Sequence, residues 1–217
     1  MTLSSEQLVK MDTAFKEETF TGNQGDFHVI KGNSPVLVSA PHSVTQFRNG
    51  KPKTGEFRTG VIAQLLQEKT GCYSLFKTKN MQDDANFDSF SPYREFAKKL
   101  VEDEKIEYLL DLHIMAPTRP YDIDLGTGRG KNINGKIAQV NQIEKIFKLN
   151  GVKEVRIDHL FTAGYPYTVS ADLAKSCNIF CLQIEMNWQL LEEIQSFTTI
   201  VSSLVKVIDL MKKGAKE

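Results

Sequence analysis

The sequence predicts an α/β fold, a single domain whose mixed, mostly parallel sheet carries helices on both faces. Three observations predict it. The short runs 35–40, 106–112 and 179–184 are largely apolar, the pattern of strands buried on both faces. Segments of helical length and periodicity lie between them, and alternating strands and helices imply parallel pairing with crossovers. The 217 residues suffice for one sizeable core and are short for two. No internal repeat or low-complexity linker divides the chain, so the domain is expected to span 1–217.

Residues 4–15 read as a short helix, with Ser4 or Ser5 as cap and Glu6 in the first turn. Residues 20–30 read as extended, broken by turn residues 22–25, and 31–34 form a turn. The buried strand 35–40 ends at Pro41, with His42 and Ser43 directly after it. Residues 44–54 are polar and rich in Gly, Pro and Lys, hence a surface loop. A helix over 56–69 places Ile62, Leu65 and Leu66 on one face, with Gly71 as its stop. Glu56 falls in its first turn, where a carboxylate also suits the helix dipole.

A strand at 72–76 leads into the long polar loop 77–90, of a length that is often functional. Ser91 and Pro92 open a helix to about Glu102. After the strand 106–112, closed by Pro117, residues 121–125 alternate like a strand and run into the Gly-rich stretch 126–131. A helix over 133–149 sets Ile137, Val140, Ile143 and Phe147 in register, and Gly151 stops it. Residues 153–157 suggest a short strand, 159–169 a loop, and Ser170 the cap of a helix to about Ser176. The strand 179–184 runs into Glu185, and 188–212 reads as one long closing helix.

Composition excludes several classes. Lys plus Arg and Asp plus Glu are 27 each, so no broad nucleic-acid-binding face is expected. No apolar run approaches a membrane span, and 1–19 lacks the apolar core of a signal peptide. Cys72, Cys177 and Cys181 form no Cys-x-x-Cys pair, and read as reduced structural thiols of a cytoplasmic protein.

The chemistry gathers at strand ends. Asp111 and His113 are two apart, so on a strand they share a face. Alone, His113 is equally a core-edge side chain bonded to a carbonyl. But His42 and Glu185 stand at the ends of two further apolar strands, where open α/β sheets build their sites. Three ionisable groups beside a core need partners. Two His and one carboxylate, with an open fourth position, are a familiar catalytic zinc set. His42 and His113 are the His candidates. Glu56, opening the helix after the His42 loop, is the preferred carboxylate; Asp111 is the rival, otherwise holding His113 in one tautomer. Glu185 is then the general base.

Ser-Ala-Pro-His-Ser at 39–43, Glu56-x-x-Thr59-Gly60, Asp-Leu-His at 111–113 and Leu-Gln-Ile-Glu-Met-Asn at 182–187 together resemble the N-formylglutamate amidohydrolase family. That family is similar in its phosphorylase/hydrolase-like fold and zinc site to the carboxypeptidase and aspartoacylase group, the zinc exopeptidases. The resemblance implies His42, Glu56 and His113 as zinc ligands and Glu185 as catalytic carboxylate. It also implies hydrolysis of the amide of an acyl amino acid or small peptide. The chain departs from the pattern in two places: it lacks the compact His-x-x-Glu pair of the carboxypeptidases, and it has Val44 where many formylglutamate enzymes have Gly.

The family's substrates carry carboxylates, so cations are expected near the strand ends. Arg94, after the polar loop, and Arg129, in the Gly-rich stretch, are the substrate-binding candidates, with Asn86 as a partner for a polar group. Arg58 and Arg119 are weaker ones. The Gly-rich stretch is not a dinucleotide motif. His159 reads better as a surface His, Tyr165 and Tyr167 as pocket or loop packing, and Ser43 lacks a nucleophile elbow. The expectation is a zinc-dependent amidohydrolase, with other divalent metals possible. The alternatives are a non-catalytic metal- or ligand-binding protein of the same fold, a metallopeptidase or deacylase of another substrate class, and a cofactor-free enzyme using His113.

Overall fold

The computed structural model describes residues 3–20 and 25–215. The expected turn at 22–25 therefore lies mostly outside the described residues. The elements in order are α1 (Ser5–Lys16), β1 (Phe27–Ile30), β2 (Val36–Ala40), β3 (Gln46–Arg48), β4 (Lys51–Lys53), α2 (Phe57–Thr70), β5 (Tyr73–Lys77), α3 (Pro92–Glu104), β6 (Tyr108–Met115), β7 (Ile123–Gly126), α4 (Ile137–Leu149), β8 (Val155–Ile157), α5 (Val169–Cys177), β9 (Phe180–Asn187), α6 (Gln189–Glu192) and α7 (Ile194–Gly214). Seven strands form one sheet in the order β1-β5-β2-β6-β9-β7-β8. The central strands β5, β2, β6 and β9 run parallel, while β1 and β7 are antiparallel to their inner neighbours. The predicted mixed, mostly parallel sheet is present.

Helices cover both faces. One core gathers Val38, Leu110, Leu112, Leu182 and Ile184 beneath α2, α4 and α7. The other packs Leu37, Leu75, Leu109 and Cys181 under α3 and α5. The second face is apolar only in its lower half. Parallel register sets Ser39 beside Asp111, Asp111 beside Gln183, and His113 beside Glu185. Paired residues share a face, so the upper half of this face, toward the carboxyl ends of the central strands, is a polar stripe.

Several boundaries differ from expectation. The loop after His42 contains the two-stranded hairpin of β3 and β4. Its buried Val44 and Gln46 fasten it: Gln46 Nε2 donates to the carbonyls of His42 and Val44. Thr168, not Ser170, caps α5, because its hydroxyl accepts from the Ala171 N–H. Ser170 lies within the helix and points to Asp111. The closing helix is interrupted at Glu193, which is extended (φ −90°, ψ 140°). By length and composition α7 is long and apolar enough to cross a membrane, at a mean hydropathy of 1.3, which the sequence reading passed over. In the fold its apolar side, from Phe197 to Met211, packs into the first core. Cys72, Cys177 and Cys181 are free thiols.

Candidate metal centre

Three elements meet above the carboxyl ends of β2 and β6. His42 follows β2 by two residues and is buried; its carbonyl accepts from the Glu56 N–H at 2.7 Å. That bond returns the chain, after the hairpin, to the strand end it left. Glu56 is the N-cap of α2, yet its side chain caps nothing. It turns inward instead. Oε1 lies 3.0 Å from His42 Nδ1, and Oε2 lies 3.1 Å from His113 Nδ1 and accepts from the Ile114 N–H at 3.0 Å. The two imidazoles cross edge to face, 4.7 Å between centroids. One ligand atom from each of His42, Glu56 and His113 lies within 4.8 Å of the others.

Each imidazole is held from behind. His42 Nε2 donates to Asp84 Oδ1 at 2.9 Å, and Asp84 is clamped in turn by Arg48 at 2.8 Å. His113 Nε2 lies 3.4 Å from Asp111 Oδ2, which the Ser170 hydroxyl also approaches at 3.3 Å. A carboxylate only accepts, so Asp84 and Asp111 favour a proton on Nε2 and leave Nδ1, the nitrogen on the Glu56 side, as the one that would bind a metal. Burial works to raise the pKa of Glu56 and Asp84. The imidazoles outweigh it for both, and Arg48 adds to the effect at Asp84, so both carboxyls stay well below their ordinary range. Burial works to lower His42 and His113, and the facing carboxylates outweigh it, so both are raised.

Glu185 opens onto the same cavity of about 680 Å³, which His42, Glu56, His113, Gln183, Asn86 and Tyr165 also line. Its Oε1 accepts from Gln183 Nε2 at 3.0 Å. Burial pushes its carboxyl up to about 8, against the opposing pull of His113.

The expected substrate-binding residues fare differently. Arg94 is 2% exposed, and its donors go to Asp172 Oδ2 and to the carbonyls of Ala85, Tyr167, Asp88 and Ser89. All five N–H groups of a guanidinium are thereby occupied. Arg94 is thus a staple for the 78–91 loop rather than a free anion anchor, and that expectation is corrected. Arg129 is exposed, in the left-handed region (φ 54°), on a loop that lines a different depression from the His–Glu cavity. Asn86 does line the cavity: its Oδ1 accepts from the Val169 N–H at 2.7 Å and its Nδ2 lies 3.3 Å from His113 Nε2. The cations lining the cavity are Arg48, Lys53 and Arg119. Among the described residues Lys53 and Arg119 form no ion pair, whereas Arg48 is tied to Asp84. His159 is exposed, packs edge-on to Tyr121 and is not part of the lining.

Asp84, Arg48 and Gln183 escaped the sequence reading. Asp84 sits among several polar residues of one loop with no period to single it out. Gln183 was within reach: two residues before Glu185 on a strand, it shares its face.

No family model matches the chain, and no curated protein matches it in sequence. Solved structures are similar in fold. A gene product of Agrobacterium tumefaciens has a TM-score of 0.61 at 11% identity, over 91% of this chain and 99% of that one. A bacteriophage poly-gamma-glutamate hydrolase has a TM-score of 0.58 at 13% identity, over 92% and 95%. A metallo-carboxypeptidase from Burkholderia cenocepacia has a TM-score of 0.52 at 10% identity, over 99% and 70%. At these identities the likeness concerns the fold.

Proposed function

We propose that this chain is a metal-dependent hydrolase that cleaves the amide bond of a small N-acyl amino acid, formylglutamate-like in carrying a carboxylate, or of a short peptide. The observation that carries the reading is the convergence of His42, Glu56 and His113 on one point of a cavity that Glu185 also faces. Two similar folds belong to a poly-gamma-glutamate hydrolase and a metallo-carboxypeptidase, which supports the reaction class.

The donor set fits a divalent metal. Two neutral imidazole nitrogens and one carboxylate oxygen, each held by a partner behind it, suit zinc first among several ions. His42, Glu56 and His113 would hold it; when bound it supplies a Lewis acid that polarises the scissile carbonyl and acidifies water. Glu185 does the proton work. Gln183 anchors one of its oxygens, leaving the other toward the cavity. As a carboxylate in this position it can accept a proton from the attacking water and deliver it to the leaving nitrogen. The C–O bond forms, the C–N bond breaks, and the amine leaves protonated. Lys53 and Arg119, which line the same cavity, would meet the substrate carboxylate.

The test is a hydrolysis screen of N-acyl amino acids and short acidic peptides with the zinc-loaded protein. Turnover is expected for carboxylate-bearing amides and poor for their carboxamide analogues. Changing Lys53 and Arg119 together to Ala should narrow that difference by roughly 2–3 kcal/mol. No turnover of any such amide by fully loaded protein, or equal turnover of acid and amide forms, contradicts the reading.

A further inference from the structure

The His–Glu cavity is not the only opening at the metal centre. Next to it, sharing the wall of Ile114, Met115 and Ala116, lies a second depression of about 570 Å³. Glu56, Ile114, Met115 and Ala116 are walls of both. The second depression is walled further by Phe57, Pro117 and Trp188. Lys16 stands at it with Nζ 5.8 Å from the Phe57 ring centroid. Strand alternation explains the division: His113 points to the polar face, Ile114 to the apolar one, and the strand ends here, so both faces reach the same rim.

The two openings differ in chemistry. The first holds most of the charged groups; the second, apart from Lys16, Thr54 and the shared Glu56, is lined by aromatic, aliphatic and proline surface. An apolar recess touching a proposed metal ligand is the usual arrangement of a specificity pocket, apolar walls beside a few placed polar groups. The shared wall of Glu56 and Ile114–Ala116 puts the recess next to the point where a scissile carbonyl would sit at His42, Glu56 and His113.

We propose that the Phe57–Ile114–Pro117–Trp188 recess is an acyl subsite, and that the substrate is an amino acid carrying an aliphatic or aromatic N-acyl group larger than formyl. This deepens the proposed hydrolase reading and rests on it for the reaction, though not for the binding. Lengthening the acyl chain into the recess should raise kcat/KM by about threefold for each methylene buried, until the recess is full.

Trp188 is the sole tryptophan of the chain, so the recess reports on itself. The full-length protein, metal-free and zinc-loaded, is titrated with N-acetyl-, N-hexanoyl- and N-benzoylglutamate while Trp188 emission is followed, and hydrolysis is measured on the zinc-loaded form. The expected result is an emission change with the hexanoyl and benzoyl ligands and not with acetyl, together with a kcat/KM at least tenfold above acetyl. Pro117→Asp, at an exposed position, should abolish the preference for the longer acyl groups with zinc content unchanged. An emission change without hydrolysis of any acylglutamate would keep the subsite and sink the hydrolase reading. Hydrolysis indifferent to acyl length, with Trp188 silent, overturns the subsite and leaves the hydrolase reading standing. Emission that follows protein concentration and ignores the ligands would assign the recess to a second copy of the chain, and also overturns it.

Discussion

At the scale of single residues, the centre separates groups that face the cavity from groups that hold them. Glu185 is in the first set. Glu185→Gln keeps its shape and its place beside Gln183 but cannot accept a proton. Turnover should fall by about two to four orders of magnitude with metal content unchanged, read by kinetics and elemental analysis on one preparation. Metal loss in that variant would make Glu185 a ligand. Asp84 is in the second set. Asp84→Asn retains a side chain at His42 Nε2 and loses the charge; metal affinity should drop about 10- to 100-fold, measured by competition with a chelator. An unchanged affinity would reduce Asp84 to a loop anchor. His42, His113, Glu56, Glu185 and Asp111 could be singled out from sequence because strand ends and helix starts have recognisable neighbours. Asp84 could not, because its partner His42 is 42 positions away and only the folded loop brings them together.

At the scale of elements, the long loop between β5 and α3 shows how a functional wall is fixed. Lys77 Nζ meets both oxygens of Asp83 and one of Asp26. Arg94 donates to the carbonyls of Ala85, Asp88 and Ser89. Between these two staples stand Asp84 and Asn86, the residues that meet the imidazoles. The sequence made Arg94 look like a substrate anchor because an Arg after a polar loop offers no sign of how deep it will lie. Only the packing of α3 on α5, which delivers Asp172 and the Tyr167 carbonyl, shows that it is enclosed. Arg94→Ala should therefore act on stability, by about 3–5 kcal/mol in denaturant unfolding, because it leaves four carbonyls without their donor and Asp172 with only Lys98 and Ser176. A variant with native stability and a selective loss of carboxylate substrates would restore the anchor reading. Most helices and the central strands were legible as apolar stripes at helical spacing and as short continuous apolar runs; the break at Glu193 and the β3–β4 hairpin were not, the hairpin being three residues a side with a proline in one strand.

At the scale of the whole molecule, the fold concentrates ionisable groups at one end of the sheet, and this shapes its response to pH. Glu185 has a raised pKa in the folded state, so its contribution to stability is full below the ordinary carboxylate range and is lost as pH rises toward about 8. Glu56 and Asp84 are lowered, so their contribution is present above that range and is lost as pH falls through it. His42 and His113 are also raised, so they too lose their contribution as pH rises. Metal-free protein should lose stability from mildly acidic pH to about 8, and Glu185→Gln should lessen that slope; an unaltered slope in the variant would place its origin in the imidazoles. The mixed sheet with helices on both faces could be read from the alternation of apolar runs and amphipathic segments. Which strand ends meet could not, since the order β2-β6-β9 is a property of the crossovers. The proposed hydrolysis depends on those ends and Glu56 sharing one metal. The direct measurement is zinc stoichiometry of the native protein and of His42→Ala and His113→Ala, by elemental analysis after equilibration with excess zinc and desalting. About one zinc per chain in the native protein and little in either variant is the predicted result; full retention in both variants, or none in the native protein, contradicts it.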